Sequence, residues 1–247
     1  MNLTKNEMDY RLPLIDRERK VIMDWSPKAG CTIVIKMFYK RMDLLETALQ
    51  TDEWVHEYRM FHFFKNNPTQ KEDFQNPEFY KLKVVRNPYS RVVSSYLHTI
   101  RNNSMHQPVK KVLRRWSANI TFKKYLDFLE KIDLREADPH YAFQVKHFEE
   151  QGFKYDKIVK LENLHQGIQE INLEKGIGYD LSGISSPHHV DKNESLTMEA
   201  FNKRYSKIKD NVPAYNNFYN EELIEQVRSI YKLDLEMYNY EEVGLTS

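Results

Sequence analysis

Two stretches of this chain each run from an apolar strand, through a polar turn, into an apolar helix. The first is Val21-Ile22-Met23-Asp24-Trp25, then Ser26-Pro27-Lys28-Ala29-Gly30-Cys31, then a helix-compatible run from Thr32. The second is Leu82-Lys83-Val84-Val85, then Arg86-Asn87, then Pro88 and a helical stripe of Val92, Val93, Tyr96, Leu97 and Ile100. Strands that alternate with helices fold as a parallel sheet with right-handed crossovers. The pattern predicts strands over 20–25, 81–86 and 156–161, and helices over 32–43, 88–102, 121–131, 139–151 and 221–232. Residues 44–80 read as a mixed segment and 176–195 as a loop. Residues 1–19 read as a polar lead-in, and 20–247 as a single α/β domain with a central parallel sheet flanked by helices.

Each turn carries fixed positive charge and hydroxyls to the start of a helix. A helix N-terminus offers N–H groups without intrahelical partners and a partial positive charge, so anions bind there. In the first turn Gly30 permits a tight approach of backbone to ligand. Lys28 adds a mobile point charge and Thr32 a hydroxyl. The order differs from the G-x-x-x-x-G-K-[ST] loop of ordinary ATP and GTP hydrolases, because the lysine precedes the glycine. In the second turn Asn87 suits the N-cap and Pro88 the first helical position. Ser94 follows Asn87 by about two helical turns, on the same side. Arg86 and Ser94 together can grip a phosphate dianion. Taken singly, Lys28 reads as a surface lysine and Arg86 as one arm of a salt bridge; it is the pairing of the turns that suggests a ligand anionic at both ends.

Together, Pro27-Lys28-Ala29-Gly30-Cys31-Thr32 and Arg86 through Tyr96 resemble the two signature sites of sulfotransferases that use 3′-phosphoadenosine-5′-phosphosulfate. Asp138-Pro139-His140-Tyr141-Ala142-Phe143-Gln144 resembles the D-x-H-W-x-P-Q element of the carbohydrate branch, with Tyr141 for tryptophan and Phe143 for proline. The segment Tyr215–Tyr240 resembles its C-terminal helix and D-F-x-x-F-x-Y ending. The resemblance implies a P-loop-like fold and sulfuryl transfer to an acceptor hydroxyl, on a glycan or another small molecule, without a metal. It implies a donor site of Lys28, Ala29, Gly30, Cys31 and Thr32 at the 5′-phosphosulfate, and of Arg86 and Ser94 at the 3′-phosphate. Pro187 through Ser195 resembles a nucleotide-covering loop in which Lys192 and Ser195 are the contacts. The catalytic base of the family lies between the two phosphate sites, which favours His62 and leaves His56 in reserve; His140 enters as substrate contact or second base. Lys28 meets the charge on the departing phosphate.

Composition sets limits on this reading. The net charge of +1 gives no basic excess for nucleic acid, so anion selectivity is local. The basic run Lys110–Arg115 reads as a solvated face or as the edge of an acceptor cleft. Sixteen tyrosines, 13 phenylalanines and three tryptophans supply aromatics for a core and for a sugar-stacking cleft. Cys31 is the single cysteine, so no intrachain disulfide forms. Without a signal-like or spanning apolar run, the expectation is a cytoplasmic protein. The His188-His189 pair has no second ligand pair at zinc spacing. Two other functions stay open: an ATP-dependent small-molecule kinase, which needs Mg²⁺ and carboxylates by the loop, and a non-catalytic nucleotide-binding protein.

Overall fold

The structure, a computed structural model, describes residues 12–51, 54–68, 70–101, 111, 119–185 and 199–240. The chain divides into two compact units: Met1–Arg86 with Lys146–Pro187, and Asn87–Val145 with His188–Ser247.

The first unit holds a four-stranded sheet in the order β1-β2-β3-β4. Its strands are β1 (Leu14–Asp16), β2 (Val21–Trp25), β3 (Tyr80–Val85) and β4 (Lys157–Lys160). β2 pairs parallel with β3, and β3 parallel with β4. The three strands expected from the sequence therefore form the parallel core of the sheet, within a residue of their expected bounds. The lead-in is corrected, because it contains β1, which pairs antiparallel with β2 and is buried throughout. Three residues are too few to show a period, and Arg17, Glu18, Arg19 and Lys20 mask them in sequence.

Alternation across the pleat sorts the side chains of this sheet. Val21, Met23 and Trp25 of β2 and Leu82 and Val84 of β3 face a core completed by α1 (Cys31–Arg41), including Val34, Ile35 and Phe38. The β-branched run at the start of α1 is helical because that face is buried, which overrides weak propensity. Asp24 and Lys83 sit opposite each other in register, off that core. Asp24 accepts from Lys146 Nζ at 2.7 Å and from the Tyr155 hydroxyl, and buried Lys83 pairs with Glu149. These buried charges are thus neutralised in place. The face also carries a small apolar cluster of Ile15, Ile22, Phe74, Phe79 and Phe148.

In the second unit α2 (Pro88–Arg101) and α3 (Phe122–Leu129) bury Val92, Val93, Tyr96, Phe122, Tyr125 and Leu126 in one core. Asn87 caps α2 as expected, its Oδ1 accepting from Tyr89 N at 2.9 Å. Later come α4 (Leu164–Lys175), which belongs to the first unit, and α5 (Glu221–Ile230) and α6 (Lys232–Met237), split at Tyr231. The helix expected over 139–151 is corrected: only His147–Glu150 is helical. Residues 138–145 form a loop, and side chains bond several of its backbone groups. Arg91, 1% exposed, donates to the carbonyls of Ala142 at 2.8 Å and Pro139 at 3.3 Å. Asp234 accepts from the backbone of Gln144 and Val145, and the Tyr231 hydroxyl donates to the Tyr141 carbonyl.

Candidate active site

Between β2 and α1 the chain makes the turn anticipated from its sequence. Ala29 N donates to the Ser26 carbonyl at 2.9 Å, which closes a four-residue turn with Pro27 and Lys28 at its centre. Lys28 has φ 68°, so the centre follows the type II pattern of proline and then a positive φ. A lysine pays for that conformation where glycine does not. Gly30 also has positive φ, at 76°, and caps α1 with its backbone alone. A Cβ there would lie 2.5 Å from Leu161 Cδ1, so a side chain would have to displace the end of Leu161 and hold a strained φ. The first helical bond runs from Val34 N to the Gly30 carbonyl. The N–H groups of Cys31, Thr32 and Ile33 precede it and point out of the helix end.

Three side chains of the first unit gather on this loop. Arg86, just past β3, donates through Nη1 to the Lys28 carbonyl at 3.0 Å. It therefore fastens the loop from the neighbouring strand. His56 approaches the Thr32 hydroxyl with Nε2 at 3.3 Å, and its ring lies 4.5 Å from that of Trp54. Arg59 stacks over the Trp25 ring at 5.2 Å and the Phe64 ring at 5.5 Å. Burial pulls its guanidinium below the usual arginine range, against smaller opposing effects of Cys31 and Tyr39.

His62 sits elsewhere on the same segment. It is exposed and stacks on Tyr58, ring centroids 5.3 Å apart. The stretch Arg59–Phe63 is a π-helix, an uncommon form that recurs at functional positions. Arg59 and Phe63, four residues apart, turn inward on the same face as Val55, and Met60, Phe61 and His62 turn outward. Sequence reasoning missed Arg59 because a lone arginine in a mixed segment reads as surface. The signal available was its place among aromatic residues, Tyr58, Phe61, Phe63 and Phe64.

The second unit carries the remaining expected residues that are described. Ser94 is half-buried on α2. His140 is half-buried on the loop held by Arg91 and Asp234. Its Nδ1 lies 2.8 Å from Asp138 Oδ1, and its ring stacks on His98 at 4.3 Å. Burial raises the Asp138 carboxyl, but hydrogen bonds from His140 and the two nearby imidazoles outweigh it and hold the group below the usual carboxylate range. Lys192, Ser195, His188 and His189 lie outside the described residues, as does the 110–115 run apart from Lys111.

A strand end, a loop with two left-handed residues, a helix N-terminus and a lysine define an α/β protein with a loop of the kind that can receive an oxyanion. A family model described as the sulfotransferase family matches residues 14–241, and the chain belongs to that family. It is a sulfuryl-transferring enzyme. No curated protein and no solved structure matches the chain. Among the described residues no helix is long and apolar enough to cross a membrane, and no group of three or more His, Cys, Asp or Glu is placed to hold a metal ion.

Proposed function

We propose that this enzyme transfers a sulfuryl group from 3′-phosphoadenosine-5′-phosphosulfate to a hydroxyl of a carbohydrate, in the cytoplasm. The observation that carries the reading is the loop 26–30, left-handed at Lys28 and Gly30 and tied to β3 by Arg86. A turn of that shape presents N–H groups and a cation to one end of an anionic ligand. Gly30 supplies the positive φ that leads the turn into the helix. The donor supplies an already activated sulfuryl group with a good leaving phosphate.

Lys28 and the N–H groups of Ala29, Gly30, Cys31 and Thr32 hold the 5′-phosphosulfate end and stabilise charge on the departing phosphate oxygen. Arg86 and Ser94 are assigned to the 3′-phosphate, with Lys192 and Ser195 covering the nucleotide. Arg86 has a second duty, because its bond to the Lys28 carbonyl keeps the loop in shape. The acceptor hydroxyl attacks sulfur in line and loses its proton to a base. His56 suits that role better than His62, since Thr32 anchors its ring beside the loop. His140, oriented by Asp138, is assigned to acceptor contact or to a second proton transfer. Exposed Trp54 and Phe61 offer flat apolar faces on the same segment, which suits a sugar ring. The kinase alternative is disfavoured by Asp24, the carboxylate nearest the loop in sequence, which is buried and bonded to Lys146, Tyr155 and Trp25 N.

Calorimetric titration with adenosine 3′,5′-bisphosphate, beside ATP–Mg²⁺, tests the donor. Micromolar or tighter binding of the bisphosphate, with ATP far weaker, is the expected result. Preference for ATP–Mg²⁺ would transfer the assignment to a kinase.

A further inference from the structure

Arg59 is a buried cation that meets no anion among the described residues. It is 5% exposed, and its Nε is fully enclosed without a hydrogen-bond partner. It lies over the ring faces of Trp25 and Phe64, with Cys31 and Tyr39 near enough to act on it electrostatically. Two of these neighbours bracket the oxyanion-binding loop: Trp25 closes β2 just before it, and Cys31 opens α1 just after it. Removing a guanidinium from water without a counter-charge is costly, and aromatic faces offset only part of that cost.

We propose that Arg59 is an anion-binding residue of the loop, its guanidinium donating to the oxyanion seated on the N-terminus of α1. That oxyanion is the 5′-phosphosulfate end of the donor, an identity that rests on the function proposed above. Lys28 and Arg59 then divide the work. The lysine is a flexible point charge that follows charge as it moves. The arginine is a planar fork, clamped between two rings, that fixes the direction of the anion.

The test uses probes that occupy one end of the donor site each: inorganic pyrophosphate for the loop, and adenosine 3′-monophosphate for the other end. Affinities are measured by calorimetry for the wild type, Arg59→Met and Arg59→Lys, with adenosine 3′,5′-bisphosphate alongside and thermal midpoints recorded. The expected result is a loss of about 10–100-fold in pyrophosphate affinity for Arg59→Met. Arg59→Lys loses less, and adenosine 3′-monophosphate binding stays within about twofold in both variants. Unchanged pyrophosphate affinity in Arg59→Met, or equal losses for both probes, would make Arg59 a packing residue and overturn the proposal. So would a wild type that binds no pyrophosphate. Should Arg59→Met fail to fold, Arg59→Lys decides alone: a selective loss for pyrophosphate supports the role and an unselective or absent one removes it. Pyrophosphate binding that depends on Arg59, in a protein that binds neither adenosine nucleotide, would keep the anion site and discard the donor.

Discussion

Lys28 is held in a left-handed conformation at the centre of its turn, which fixes where its side chain leaves the loop. Lys28→Ala is therefore expected to lower kcat by about 100-fold or more, while affinity for adenosine 3′,5′-bisphosphate changes by less than about threefold. Ser94→Ala shows the reverse pattern, a loss of donor affinity with kcat kept. Arg86→Ala lowers both, because the same side chain holds the Lys28 carbonyl. Steady-state kinetics and titration on the three variants check this, and a uniform pattern would remove the division of roles. The two histidines of the intervening segment separate in the same way. His56→Ala is expected to cost about 10²–10⁴ in kcat, whereas His62→Ala, altering an exposed ring stacked on Tyr58, leaves kcat within a few fold. A larger loss for His62→Ala would return the base to that residue.

At the scale of the element, the strand–loop–helix unit depends on Gly30. Gly30→Ala meets both a positive φ and the Leu161 side chain. The expected loss is about 1 kcal/mol or more, seen in thermal denaturation as a fall of about 2–4 °C or more. Adding Leu161→Ala relieves the contact and not the φ, so recovery is partial; full recovery would place the whole cost in the contact. How far such elements were legible in sequence follows from what holds them. β2, β3 and β4 show in sequence because apolar runs end in turn residues, and α2 because Asn87-Pro88 is a local start signal. The loop carrying His140 did not, since its shape depends on Arg91 and Asp234, 51 and 90 residues from the backbone groups they hold. Periodicity cannot register a partner so distant. The inward turn of Arg59 is hidden for a different reason: it shares a face with Val55 and Phe63, but an arginine at such a position reads as surface.

Across the whole molecule the aromatic content becomes a sensitivity to alkali. Burial pushes the phenols of Tyr96, Tyr125, Tyr141 and Tyr231 above the ordinary tyrosine range. The unfolded chain ionises near pH about 10, whereas these folded phenols do not. Stability is therefore fully present below that pH and is lost as pH rises from it towards the folded values. Phenolate absorbance and circular dichroism followed together against pH are expected to show these groups ionising with unfolding and not before it. Ionisation near pH about 10 with the fold intact would contradict the burial. The Trp54–His56 ring contact has an optical counterpart. A protonated imidazole quenches a neighbouring indole more strongly than a neutral one. In a variant with Trp25 and Trp116 replaced by Phe, the emission of Trp54 thus becomes a gauge of the charge on His56, which lets the proton acceptor assigned here be titrated with no label and no turnover.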